Sequence, residues 1–398
     1  MKTRMKSLVI ICLWMAGIFS ICAQSGNPLV NCKEVAKRVK IGGNDLVVCD
    51  RSLLNNTISV PLSALTEELQ IVKLDDADAA LVKETGAIIG DNHILVIGSR
   101  EIPFKLFDKK TGKFLNNIGA FGQGPNEYQN IYDAQLDEKN NRIYLLPWQT
   151  KRILVYDLKG NALDPIPLYT GSPKGKFKVD TKAGTVIVSI LPFTGAPAVV
   201  WTQTTQGKLI HSVAPGHLAV PPDFSNEVSA FKVGSAYGFN VFTFDPRTDS
   251  LYRYESASNK LIPVFTMKFN DSKQPIHSYT ELTNYYMGDF SEPKKQSEQI
   301  TVTQNRRYYI IDKKTLKGSF LKLENDFLGN VEIDWPNYAF SGDYFVRNVD
   351  PGNLSDVLEK VLKENKKLTA EQKTKLTKLK NSITDNDNNY ILYAKLKR

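Results

Sequence analysis

The sequence predicts an all-β fold: a six-bladed β-propeller of four-stranded antiparallel blades, with a small helical hairpin inserted in the last blade. Three observations carry this expectation. Residues 119–160 hold short β-branched and aromatic runs separated by Asn, Gly and Pro turns, the texture of a strand meander. A copy lies upstream: Ile94-Leu95-Val96 matches Ile143-Tyr144-Leu145, and Leu106-Phe107-Asp108 matches Val155-Tyr156-Asp157, both at a shift of 49 residues. Finally, no gap between the runs has room for a crossover helix, which excludes a parallel sheet. A period of ~40–50 residues with four strands per unit is that of a propeller.

Residues 1–23 come first. Lys2, Arg4 and Lys6 precede an apolar run from Leu8 to Ile21, and Ala23 offers a small residue before a cut, which together read as an export signal. No later stretch approaches the ~20 apolar residues of a membrane span. Lipid attachment at Cys22 is the less favoured variant, because Ile21 stands where a lipoprotein signal wants a small residue. The expected location is periplasmic or extracellular. Three of the nine net positive charges belong to this signal, and residues 354–380 carry eight Lys against four acids. The body is therefore nearly balanced, and the basic pI does not point to nucleic acid.

Residues 24–56 form an N-terminal lead-in that holds Cys32 and Cys49, the only cysteines left after the signal. In an oxidising compartment they either close a disulfide, worth about 3 kcal/mol in a chain-entropy model, or stand as buried or free thiols. Two cysteines cannot build a scaffold, so a hydrophobic core must. The propeller proper is expected over 57–398. Residues 57–74 alternate Ile58, Val60 and Leu62 and then present Leu69, Ile71, Val72 and Leu74, an early strand, a helical turn and the start of the ring.

The second copy divides into strands at 131–137, 142–146, 152–157 and 162–168. Strand texture recurs at 185–201, 238–254 and 308–323 without clean register. Residues 353–384 break the pattern. Leu354, Val357, Leu358, Val361 and Leu362 fall at helical spacing, and Thr369 with Gln372 makes a capping box for a second helix. This hairpin is expected to cover the propeller with a solvated lysine face; a partner or membrane-surface helix is the other reading. Residues 389–397 alternate and are expected to be the outer strand of the closing blade, since an open ring would leave unpaired edges. The length from residue 60, less the ~32-residue insertion, divided by the repeat gives about six blades.

The stretch Gly122-Gln123-Gly124-Pro125-Asn126-Glu127-Tyr128, then Asp137, Asn141-Arg142-Ile143-Tyr144 and Ile153-Leu154-Val155-Tyr156-Asp157-Leu158-Lys159-Gly160, resembles the secreted six-bladed propellers of the TolB/NHL-like kind abundant in Bacteroides-type bacteria. The ending from Asp387-Asn388-Asn389-Tyr390 to Leu396-Lys397 is similar too. Pro147-Trp148 departs from the polar turn usual there. The resemblance implies the fold and export; most such proteins have no assigned activity.

Catalytic motifs are absent. The glycine loop 119–124 lacks a Gly-Lys-Ser/Thr ending and is followed by strand, so it is no phosphate cradle. His93, His211, His217 and His277 are scattered without metal-ligand spacing, and 385–396 fails as a calcium loop because Tyr390 and Leu396 replace the required glycine and acid. No Gly-x-Ser-x-Gly elbow occurs. No cofactor or metal is expected.

The expected role is that of an exported, non-catalytic, monomeric binding module. Loops between second and third strands emerge on the same face as the blade-to-blade connections. That places Trp148, Gln149, Lys151 and Arg152 beside Gln123, Asn126, Glu127 and Tyr128, with Arg100 at the position equivalent to Gln149 one blade earlier. Aromatic plates flanked by amides and guanidiniums suit a glycan or an acidic small molecule. Alternatively, Trp148 and Tyr128 pack blade on blade and the arginines salt-bridge locally; a second role is that of a platform for an envelope protein. The enzyme alternative is a metal-dependent hydrolase, lactonase-like or lyase-like, with its site at the central channel.

Overall fold

A computed structural model describes residues 26–398 except Arg100, Val233, Ser235, Pro246, Thr248, 271–273, 297–300 and 337–338. The expected export signal, and Cys22 within it, lie outside the described residues. Six antiparallel four-stranded blades form a ring. Their innermost strands are Ala87–Ile89, Ile131–Asp137, Lys176–Asp180, Glu227–Phe231, Ile276–Glu281 and Phe340–Ser341, for blades one to six. In blade two the strands fall at Ile131–Asp137, Arg142–Pro147, Arg152–Tyr156 and Ala162–Pro167, close to the expected bounds.

Ring closure differs from expectation. Tyr390–Lys395 is the third strand of blade six, not its outer one. The outer strand is Gln70–Lys73, supplied by the N-terminal side of the chain and paired antiparallel with Tyr390–Lys395. The reason is physical. A blade made from both ends of the chain zips the ring shut with backbone hydrogen bonds, whereas a terminal outer strand would leave blade six joined to blade one by packing alone.

The lead-in is also built into the ring. Ala36–Ile41 and Asn44–Asp50 form a hairpin whose second strand runs parallel along the outer strand of blade four, Lys260–Lys268. Thr57–Pro61 runs parallel along the outer strand of blade five, Gly318–Asn325. Both outer edges are thereby covered. The short helix α1 (Leu62–Leu65) then leads to the closing strand. Cys32 and Cys49 are free thiols, and burial pushes Cys49 far above the usual thiol range.

Hairpin turns repeat one chemical solution. Asp108 Oδ1 accepts from the amides of Lys110 (3.1 Å) and Thr111 (2.8 Å), and Asp312 Oδ1 accepts from those of Lys314 (2.8 Å) and Thr315 (2.6 Å). Both turns spell Asp-Lys-Lys-Thr. Gly112 (φ +71°) and Leu316 (φ +59°) follow in the same left-handed conformation. At Gly112 the choice of glycine is forced, because a Cβ would stand 1.9 Å from the Lys73 carbonyl oxygen in the closing strand.

The insertion follows the expected plan. Helix α2 (Pro351–Glu364) is capped by the Asp350 side chain, and α3 (Ala370–Asn381) by the Thr369–Gln372 capping box. Leu354, Leu358 and Val361 of α2 and Leu376 of α3 pack into one core cluster with Leu323, Leu328 and Leu392 of blades five and six. Glu359 and Lys380 join the two helices at 3.3 Å.

At the seam of the ring, Asp387 accepts from Lys73 Nζ at 2.8 Å, Thr384 Oγ1 at 2.6 Å and Tyr390 Oη at 2.7 Å. Burial works against its ionisation, but these hydrogen bonds outweigh it and hold the carboxyl well below the usual carboxylate range. A folded pKa below the unfolded one stabilises the ring above the unfolded pKa, and that stability is lost as pH falls through the folded pKa. Asp387→Asn is expected to cost roughly 1–3 kcal/mol at neutral pH and to flatten the loss of stability below about pH 4, read from urea midpoints across pH. An unchanged acid limb would count against this seam. Gly112→Ala is expected to lower the urea-derived stability by roughly 1–3 kcal/mol, from positive φ and the clash with Lys73; a midpoint equal to wild type would refute it.

Candidate functional site

The connection from blade one to blade two, residues 119–130, locks itself. Gly119 has φ +68°, and a Cβ there would stand 2.6 Å from the Tyr128 ring and 2.7 Å from Tyr156 Oη. The Glu127 carboxylate accepts from Gly124 N at 2.9 Å and fills the space a Gly122 side chain would need, 1.9 Å from its Cβ position. Tyr128 Oη accepts from Phe104 N (2.9 Å) and donates to the Ile118 carbonyl (2.7 Å), while Tyr156 Oη donates to the Asn126 carbonyl (2.8 Å). Burial pushes the Tyr156 phenol up to about 12 and Tyr128 higher still. Thus Asn126 and Tyr128 tie the loop to blades two and one, and Glu127 braces it from within.

Beneath this loop lies a cavity of about 370 Å³, lined by Ser99, Tyr128, Gln129, Asn130, Tyr132 and Trp148 among others. Its volume is in the range of small-molecule sites. Trp148 and Ser99 each hold a polar atom, Nε1 and Oγ, that is buried away from the cavity surface and has no hydrogen-bond partner among the described residues. The Trp148 ring meets Phe224 edge-on at 5.7 Å, and Phe224 meets Phe193 at 5.2 Å. Phe224 is half exposed, so an aromatic ridge borders the site on the side of blades three and four.

Lysines stand behind Tyr132. Lys174, nearly fully buried, donates to the carbonyls of Phe224 (2.6 Å) and Asn226 (2.8 Å) and pairs with Glu227, which fixes the loop carrying Phe224. The Lys174 and Lys176 ammoniums sit 5.9 and 5.7 Å from the Tyr132 ring centroid, and Lys176 donates to the Tyr132 carbonyl. Lys232 lies 3.6 Å from Asp133 and 5.4 Å from the Phe177 ring.

Of the residues expected from sequence, Trp148 and Tyr128 line the cavity, Tyr128 chiefly as a packing residue. Gln123, Asn126, Glu127, Gln149 and Lys151 lie on the exposed face outside it, and Arg152 is half-buried on its strand. Gln149 sits at a turn with φ +54°. Arg100 lies outside the described residues. Ser99, Gln129, Asn130 and Tyr132 were not expected, nor were the lysines. For the lysines the available signal was Lys176-x-Lys178, since a strand puts such residues on one side.

Three of the four histidines serve the framework, and His211 is exposed. His93 N and Nδ1 lie 2.8 and 2.9 Å from Glu138 Oε1, His217 Nε2 lies 2.9 Å from Tyr252 Oη, and His277 Nδ1 lies 3.0 Å from the Pro275 carbonyl. Among the described residues no group of three His, Cys, Asp or Glu is placed to hold a metal ion, and no helix is long and apolar enough to cross a membrane.

Comparison with solved structures supports the fold. A Bacteroides fragilis protein named "Putative exported protein" aligns over 86% of this chain and 100% of its own at 18% identity, with a TM-score of 0.57. Looser likenesses include Kuenenia stuttgartiensis hydrazine synthase (14% identity, 80% of this chain, 86% of that chain, TM-score 0.40) and a DUF4221 family member from Bacteroides vulgatus (12% identity, 84% and 97%, TM-score 0.38). No curated protein matches the chain. A family model does, over residues 46–395, and the chain therefore belongs to DUF4934, a domain of unknown function.

Proposed function

We propose that this chain is an exported binding propeller of the TolB/NHL-like kind, whose ligand is a saccharide taken into the cavity between blades one and two. The observation that supports this is a cavity of about 370 Å³ whose lining brings Trp148 and Tyr132 together with Ser99, Gln129 and Asn130. Sugars present hydroxyls at the ring edge and C–H groups on the ring face. Trp148 and Tyr132 suit the faces, and the exposed amides of Gln129 and Asn130 suit the edges. The metal-dependent hydrolase alternative finds no ligand set among the described residues.

Two outcomes are expected. In a thermal-shift screen against neutral and acidic oligosaccharides, a ligand at about 100 times its Kd stabilises the native protein by about 2.7 kcal/mol. Trp148→Ala is expected to weaken that ligand at least ~10-fold, the loss of about 1.4 kcal/mol of stacking and hydrogen bonding. Binding that survives Trp148→Ala unchanged would move the site elsewhere. For export, mass spectrometry of protein recovered from the cell envelope or medium is expected to find a chain beginning at Gln24; a lipid-modified Cys22 at the new N-terminus would overturn the soluble form.

A further inference from the structure

The aromatic residues around the cavity say how long its ligand is, an inference that rests on the saccharide reading just given. Four aromatic side chains among the described residues are exposed: Phe121, Tyr169, Phe224 and Trp335. Each stands between the outer strand of one blade and the inner strand of the next, so all four are on the face that carries Trp148. Exposed aliphatics are not so confined, since Leu115 and Ile210 stand on outer strands and Ile41 in the lead-in hairpin. Exposed apolar side chains scattered singly need no explanation, but aromatics gathered on one face of a ring mark a binding surface.

Phe224 joins that surface to the cavity. It lies outside the lining, yet its ring centroid is 5.7 Å from that of Trp148, a lining residue, and the two planes stand at 76°. A single sugar ring cannot lay its face on both of two planes so inclined, so the second plane suits a second sugar. The loop that carries Phe224 is fixed in advance. Lys174, nearly fully buried and with a left-handed φ of +50°, donates to the Phe224 and Asn226 carbonyls. Ser225 N donates to Asp223 Oδ1 at 2.8 Å, and Asn226 Oδ1 accepts from Phe244 N at 3.0 Å. Phe193 packs edge-on against the Phe224 ring at 5.2 Å. An aromatic ring on a loop so held loses little freedom when a ligand lies on it, so most of the stacking gain appears as affinity.

We infer that the site takes an oligosaccharide rather than a single sugar: one ring enters the cavity against Trp148, and the next lies outside it on Phe224.

The test is calorimetric titration of the purified protein with three pairs of sugars: glucose and cellotetraose, xylose and xylotetraose, galacturonate and tetragalacturonate. At least one tetrasaccharide is expected to bind ~10-fold or more tightly than its monosaccharide, beyond the few-fold gain that several equivalent rings give by statistics. Phe224→Ala is expected to remove most of that difference while leaving the monosaccharide affinity unchanged, and Phe224→Tyr, which keeps the ring, to retain it. Unliganded melting temperatures report folding, and Phe224→Leu, which keeps the bulk but not the flat ring, carries the test if the Ala variant is unfolded. A tetrasaccharide that binds no tighter than its monosaccharide, or a length preference that loss of the Phe224 ring leaves intact, overturns this inference but leaves the saccharide site standing. Failure of all six sugars to bind overturns the saccharide reading itself, and this inference with it.

Discussion

Everything in this ring depends on a short strand from the start of the chain completing a blade made by its end. Gln70–Lys73 closes blade six, and the segment Asp387-Asn388-Asn389 sutures the joint around it. Asn388 is almost fully buried. Its side chain donates to the carbonyls of Asp75 (2.8 Å) and Ala80 (3.0 Å), its carbonyl oxygen accepts from Val82 N (3.2 Å), and its own amide donates to Asp76 (2.8 Å). Leu74 N reaches the Asn389 carbonyl at 3.0 Å. A buried amide satisfied on so many sides fixes one register, because any slip leaves polar atoms unpaired in a low-dielectric setting.

The same problem of edges recurs at the inner rim, and its solution shapes the site. The inner strand of blade three has one edge without a strand partner. Blade two covers it with side chains: Asp133 takes Phe177 N, Gln135 exchanges hydrogen bonds with both N and O of Val179 at 2.9 Å, and Asp137 takes Thr181 Oγ1 at 2.7 Å. These residues fall at every second position, so one side of one strand does the work. That side is then committed to structure. Tyr132, the residue before Asp133, lines the cavity. The helical hairpin belongs to the same logic. It joins the second and third strands of blade six, and its apolar stripe is consumed by the core cluster beneath it.

The blade pattern was legible over 87–167 because blades one and two keep the 49-residue spacing and similar turns. It faded beyond, since blade three carries a long loop between Thr185–Ser189 and Val200–Thr204, and blade five has strands of 11 and 12 residues, Tyr285–Lys295 and Thr301–Asp312. One signal survived there: Asp-Lys-Lys-Thr at 108–111 and again at 312–315 marks the same turn in blades one and five. Leu316 hid it, standing where Gly112 does and adopting a left-handed conformation that a leucine advertises poorly. The site was legible only in Trp148 and its neighbourhood. Gln123, Asn126 and Glu127 are polar and on the right face but lie outside the cavity lining; the Glu127 carboxylate takes the Gly124 amide of its own loop, and the Asn126 main-chain carbonyl takes the Tyr156 hydroxyl of blade two.

By itself the sequence determined the strands, the turns, the number of blades and the helical insertion, because each of these follows from spacing and local conformational preference. Tertiary structure alone decided which segment closes each edge and which side chains share the cavity. Gln70–Lys73 meets Tyr390–Lys395 across more than three hundred residues, and Ser99 and Trp148 come together from two blades. No local preference encodes such meetings; they arise when unpaired backbone groups and buried charges find partners wherever the closed ring brings them.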